Sequence, residues 1–298
     1  MAFAKNVLLI EPIKFHSNPQ TAADNNFQIK SNENKNVQEL AMIEFNGLER
    51  LLKEHGIGVE IIKITDEHQT PDALFPNNWF STHANGTMVL YPMKAQNRRL
   101  ERRPSIIEKL HTKYPNLIDL SRNEDRGLYL EGTGSIIIDT KNNRAYAALS
   151  ERTSSNLLYE WSKKTNYETI TFTAYDQNEK VIYHTNVLMT IGEGFCIICT
   201  LAIKDTDEKR LVRKSLTETG HEIIDISFDQ LNKFCGNCLQ LVNESGEKLL
   251  LMSSQAFEAF NEKQLMTIQK YSKIIHTPLY TIESHGGGGA RCMVAELF

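Results

Sequence analysis

Runs of apolar, β-branched and aromatic residues alternate along the chain with charged, helix-permissive stretches, always in the same order. "DALFPNNWFSTH" (72–83) and "TMVLYPM" (87–93) read as two strands joined across Asn85-Gly86, a dipeptide that favours a tight hairpin turn. A helix is expected from about Arg98 to Lys113, then the short strand "LIDL". The order strand, strand, helix, strand then repeats. "LYLEGTGSIIID" and "RAYAAL" turn at Asn142-Asn143 and precede a helix over about 151–163 and "TITFTA". "VIYHTNVLMTI" and "GFCIICT" turn at Gly192–Gly194, before a helix over about 207–219 and "EIIDIS". "NCLQLVN" and "KLLLMSS" turn at Ser245-Gly246, before a helix over about 256–271 and "PLYTIE".

A fifth unit is divided between the two ends. "ARCMVAELF" supplies its first strand, "KNVLLIEP" its second, residues 37–54 its helix and "GVEIIKI" its last strand. Such units close into a ring only if the terminal strands pair, which predicts one domain over residues 1–298. A stacked solenoid is the competing arrangement, but it needs polar capping repeats that the sequence lacks. The polar stretch from His16 to Asn36 interrupts the pattern. It reads either as a surface loop or as a lid, a use to which long loops in compact domains are often put.

One polar or reactive residue marks the first strand of each unit: Asn78, Glu131, His184, Asn237 and Cys292, at intervals of 53, 53, 53 and 55 residues. Equivalent positions in a ring face one centre, so these side chains are expected to converge. Cys292 is the candidate nucleophile, since a thiolate stabilised by a cation or base is strongly nucleophilic near neutral pH. A lone cysteine is more often simply buried. The glycine run Gly286–Gly289, the ring closure and the matching histidine favour chemistry. His184 could stabilise the thiolate, protonate a leaving amine and later activate water. Glu131 sits in an apolar strand, where a carboxylate needs a partner, so it should face His184 or a substrate N–H.

The amides Asn78 and Asn186 offer donors and acceptors without charge, which suits a neutral planar group such as a ureide. A guanidinium in a dry site would call for carboxylates instead. Asn77 and Asn78 follow Pro76 and read equally well as a turn. Arg152, and Arg98 from the cluster Arg98, Arg99, Arg102 and Arg103, offer forks for a substrate carboxylate, although a solvated helix face accounts for most of that cluster.

Composition narrows the classes further. The net charge of −4, from 33 basic and 37 acidic residues, gives no basic footprint for nucleic acid. The run "NVLLI" is too short for a signal peptide or a membrane span. Five cysteines, an odd number, point to free thiols in a reducing, cytoplasmic compartment. The pairs Cys196/Cys199 and Cys235/Cys238 are 35 residues apart, longer than a zinc-ribbon spacer, and are expected to be structural thiols rather than metal ligands. No phosphate-binding loop stands in a strand–helix context, so no nucleotide cofactor is expected. The expected partner is a small amino-acid substrate, and homo-oligomerisation is compatible with the sequence.

Taken in order, "PDALFPNNWFSTH", "LEGTGSIIID", "LSERTS", "YHTNVLM" and "GGGGARCM" resemble the guanidino-group-modifying (pentein) superfamily over nearly the whole chain. That superfamily includes arginine deiminases, dimethylarginine hydrolases, amidinotransferases and succinylarginine dihydrolases. The chain looks most like the citrulline-utilisation hydrolases, or citrullinases. The resemblance implies a five-bladed α/β propeller of ββαβ units with a central, cofactor-free site. Cys292 would be the nucleophile, His184 the general acid and base, and Glu131 the carboxylate beside it, while Arg152 would hold the substrate carboxylate. Deiminases carry aspartates where Asn78 and Asn186 stand, so the expected reaction is hydrolysis of the ureido C–N bond of citrulline to ornithine, carbon dioxide and ammonia. An arginine deiminase-like or acyl-arginine hydrolase is the alternative within the superfamily. A non-catalytic pentein binding protein would be expected to lack the Cys/His/Glu set.

Overall fold

The computed structural model describes residues 3–25, 27–28, 36–65 and 68–298. Five three-stranded sheets form the frame. β1 (Asn6–Ile10) and β2 (Gly58–Ile62) run parallel, connected through the helix Val37–Glu54. β3 (Phe80–His83) and β4 (Thr87–Leu90) form a hairpin, and the helix Pro104–Lys113 leads to β5 (Asn116–Asp119), parallel to β4. β6 (Ile137–Asp139), β7 (Arg144–Ala148) and β8 (Glu168–Phe172) repeat this around the helix Ser155–Thr165. β9 (Met189–Gly192), β10 (Phe195–Ile198) and β11 (Glu222–Asp225) do so around Thr206–Glu218. β12 (Leu239–Val242), β13 (Lys248–Ser253) and β14 (Lys273–Thr277) do so around Glu262–Gln269. β15 (Ala295–Leu297) then pairs antiparallel with β1, Leu8 opposite Ala295 and Asn6 opposite Leu297. The result is the five-bladed ββαβ propeller, closed by its terminal strands as the pattern predicts.

Each middle strand has an antiparallel partner on one side and a parallel partner on the other. Covered on both faces, such a strand reads as a continuous apolar run: all four residues of β10, "FCII", are buried. The helices contribute one apolar stripe each. In Val37–Glu54 the buried positions Val37, Ala41, Phe45, Leu48 and Leu52 recur every three or four residues.

Three expectations are corrected. "PLYTIE" is not a strand: the last strand of its blade is the preceding "KIIHT", Pro278 lies just beyond it, and Tyr280–Gly286 is helical. The Glu44 carboxylate accepts from the N–H groups of Thr281 (2.8 Å) and Ile282 (2.9 Å), an N-terminal cap 237 residues away in sequence. Two expected helices are divided. One breaks between Gln96–Arg99 and Pro104–Lys113, with proline at the new start; the other breaks between Ser254–Ala259 and Glu262–Gln269, where Asn261 and Gln264 form a capping box. The first strand of every blade is also shorter than expected, and all five residues of the 53-residue register lie on turns just ahead of it. No helix among the described residues is long and apolar enough to cross a membrane.

Candidate active site

Those turns carry the candidate residues. Asn78 ends the helical turn Pro76–Asn78, Glu131 caps Gly132–Ser135, and His184 precedes Thr185–Leu188. Asn237 and Cys292 lie on turns before β12 and β15. A turn frees these side chains from the strict up-and-down alternation of a strand, so all can aim inward. Asn78, Arg98, Arg152, His184 and Cys292 line one cleft.

The Cys292 sulfur is buried and accepts from Asn186 Nδ2 and Asn237 Nδ2, each at 3.2 Å. Burial pushes the Cys292 thiol up, and the two amides, the Arg291 charge and the backbone at Gly289 offset part of the rise. His184 Nε2 meets Glu131 Oε2 at 2.8 Å. Burial alone would raise the Glu131 carboxyl, but Arg152, His184 and Arg98 hold it down to about 2. An ionised carboxylate can only accept, so Nε2 carries the imidazole proton and Nδ1 keeps its lone pair. Burial lowers the His184 pKa, and the bond to Glu131 only partly restores it. At rest the histidine and the thiol are thus both drawn toward their neutral forms. Gly134 makes room for this arrangement: a Cβ there would lie 2.4 Å from Asn78 Nδ2 and 2.8 Å from His184 Nδ1.

Asn78 is oriented by Arg98, which donates from Nη1 to its Oδ1 at 2.7 Å. A guanidinium has no acceptor, so the Asn78 carbonyl must face Arg98, which leaves the buried Nδ2 without a partner. Arg98 itself is buried and engaged by Glu101 (2.8 and 3.0 Å) and the Phe75 carbonyl (3.1 Å). Asn77 is buried beside the cleft rather than lining it; its backbone carbonyl accepts from Thr133 at 3.3 Å. Arg152 lies over the Tyr183 ring at 4.7 Å, is 3.6 Å from Glu131, and is paired with Asp24.

Asp24 belongs to the irregular segment after His16, whose residues Thr21 and Asn25 line the cleft. Asn18 and Thr21 donate to Asp72 Oδ2 at 2.7 and 3.1 Å, Asn25 to the Gly286 carbonyl at 3.2 Å, and Gln28 to the His285 carbonyl at 2.8 Å. Of the stretch read as loop or lid, Asn26 and residues 29–35 lie outside the described residues. Asp72, Asp24 and Tyr183 were not anticipated. Asp72 stands six residues before Asn78 in a quoted motif, but nothing local marks it as lining the cleft.

The remaining cysteines, Cys196, Cys199, Cys235 and Cys238, are buried free thiols, and burial raises the pKa of each. Among the described residues no group of three or more His, Cys, Asp or Glu side chains is placed to hold a metal ion.

Five ββαβ blades around a cleft define the chain as a pentein. Within that class it belongs to the family described as N,N dimethylarginine dimethylhydrolase, eukaryotic, whose model matches residues 11–298. It is similar in fold to ArgZ, an arginine dihydrolase from the ornithine–ammonia cycle in cyanobacteria, with 17% identity and a TM-score of 0.77 over 97% of this chain. The match spans about 40% of that full-length protein. A variant of the ArgZ N-terminal domain, covalently bonded to a reaction intermediate, matches over 98% of this chain and 97% of its own, with 18% identity and a TM-score of 0.78. A dimethylarginine dimethylaminohydrolase variant, solved as an adduct with S-methyl-L-thiocitrulline, matches over 99% of this chain and 100% of its own, with 15% identity and a TM-score of 0.66. No curated protein matches significantly by sequence.

Proposed function

We propose that the protein hydrolyses the ureido C–N bond of L-citrulline, giving ornithine, carbon dioxide and ammonia. The observation that carries this reading is the orientation of Asn78. Arg98 takes its carbonyl, so the site presents an unpartnered N–H donor beside His184. A ureido carbonyl accepts such a bond. A guanidinium, which only donates, would leave the amide unsatisfied in a buried setting.

In the reaction, the Cys292 proton passes to His184 Nδ1 as sulfur attacks the ureido carbon. The bond to the ornithine δ-nitrogen breaks, and the imidazolium returns the proton to that nitrogen. Ornithine leaves and an S-carbamoyl cysteine remains. Water, deprotonated by His184, attacks the thiocarbamate carbon and frees the thiol and carbamate, which falls apart to carbon dioxide and ammonia. Glu131 keeps the histidine in the required tautomer and stabilises its charged form, as the carboxylate of a triad does. At the amino-acid end, Arg152 receives the α-carboxylate and the free Asp72 oxygen complements the α-ammonium.

Arginine is the second reading, favoured by the named activity of the ArgZ structures. Incubation with citrulline and with arginine, followed by amino-acid and ammonia analysis, separates the two. Equimolar ornithine and ammonia from citrulline, with arginine untouched, is the expected result. Turnover of arginine with citrulline inert would overturn it.

A further inference from the structure

Asn237 belongs to the 53-residue register but has no part in the reaction as described above. It is 1% exposed, on the turn that leads into β12. Its Nδ2 donates to the Asn186 backbone carbonyl at 2.8 Å and to Cys292 Sγ at 3.2 Å. The first bond fixes the second. A backbone carbonyl can only accept, so the Asn237 amide cannot be turned end for end, and one of its two hydrogens must face sulfur.

We infer that Asn237 is a catalytic residue of the nucleophile: with Asn186 it forms a two-amide cradle that holds the Cys292 thiolate. This deepens the proposed function and rests on Cys292 being the nucleophile. The chemistry follows from what sulfur accepts. A neutral thiol is a weak acceptor and a thiolate a strong one, so two N–H groups at 3.2 Å favour the charged form. A citrulline site needs such a device more than an arginine site does, since its neutral substrate brings no cation to the sulfur. The remaining Asn237 oxygen is buried without a donor. It shares the space beside Gly289 with Glu283 Oε1: a Cβ at Gly289 would be 3.0 Å from the first and 3.1 Å from the second. Burial, with Glu44 adding to it, pushes Glu283 up to about 8. The protonated acid on that side puts no fixed negative charge behind the cradle at neutral pH. Among the described residues, the other titratable and charged groups around the thiol are Arg291 on its own turn, Tyr183 and His184 from the turn before β9, and Asp72, Arg98 and Arg152 lining the same cleft.

The test is the pH dependence of Cys292 alkylation by iodoacetamide, read by peptide mass spectrometry, in wild type, Asn237→Ser and Asn237→Asp. Citrulline is not needed, so the result stands whether or not citrulline is the substrate. The expected result is an upward shift of the alkylation midpoint by about one pH unit in Asn237→Ser, near tenfold slower alkylation at pH 7, and an unchanged limiting rate at high pH. Asn237→Asp, the same shape with a negative charge, should shift it further. Midpoints equal to wild type in folded variants would overturn the inference. Should both variants melt early, the Asn237 side-chain amide resonance in ¹⁵N-labelled wild type decides: it must move with the Cys292 titration, and a flat response sinks the cradle.

Discussion

Around the thiol and its histidine, Asn78 and Asn237 each present one particular end, and the partner that dictates that end comes from another part of the chain. Arg98 turns the Asn78 donor toward the cleft, and the Asn186 carbonyl turns the Asn237 donor toward sulfur. Glu283 behind them makes a separate prediction. Its folded pKa, pushed up to about 8 by burial, exceeds the unfolded value near 4.5. Between these values the folded state keeps a proton that the unfolded state has lost, so stability falls as pH rises, by about 1.4 kcal/mol per unit for this group. Glu283→Gln, which mimics the neutral acid, should melt with wild type near pH 5 and above it by pH 8. Parallel melting curves across that range would show that Glu283 ionises as freely as in the unfolded chain. The register, read together with the chemistry of the residue types, picked out Asn78, Glu131, His184 and Cys292. It gave Asn237 a place without a role, because a role depends on which end of an amide faces sulfur. Asp72 and Asp24 were not legible, because their partners lie far off in sequence and neither falls in the register.

The described residues of 16–28 are held at the site by polar contacts through Asn18, Thr21, Asp24, Asn25 and Gln28, and by Phe27 packed against Tyr183 and Phe234. Asp24, bridging Arg152 and Lys94, occupies the guanidinium that a substrate carboxylate would need. Part of this pairing must give way on binding. Asp24→Asn should therefore loosen the segment: limited proteolysis within residues 16–28 is expected to run several-fold faster, with saturating ornithine slowing it. Cleavage at the wild-type rate would mean that Asp24 does not fasten it. Local pattern found the helices because their apolar stripes repeat within the element, as in Val37–Glu54. It failed at Tyr280–Gly286, where the cap comes from Glu44 on a distant helix. It also lengthened every first strand, since apolar residues on the inward turns continue the strand's composition while leaving its geometry.

For the whole molecule, the ring depends on one short pairing, three residues of β15 against β1. Leu297 is 2% exposed there and packs in a cluster with Leu8, Ile10 and Tyr114. Leu297→Ala should cost about 2–5 kcal/mol and lower the melting temperature by roughly 5–10 °C. Thiol reactivity at Cys292 should change alongside, because this residue stands three residues ahead of β15. A melting loss under two degrees would show that the closure is not under tension from the rest of the ring. The closure was legible because an incomplete fifth unit at one end matched the missing parts at the other.

That pairing also sets an order of events. β1 can find its parallel neighbour β2 early, but its other edge stays open until residues almost three hundred positions later have been made. Contacts so distant in sequence form slowly, and an uncovered strand meanwhile invites pairing with other chains. The same late step brings Cys292 into place. Until the ring shuts, the growing chain has an exposed edge and an incomplete cleft around Cys292; afterwards the edge is covered and the cleft complete. Covering that edge and assembling the cleft around Cys292 are thus one event in the life of this polypeptide.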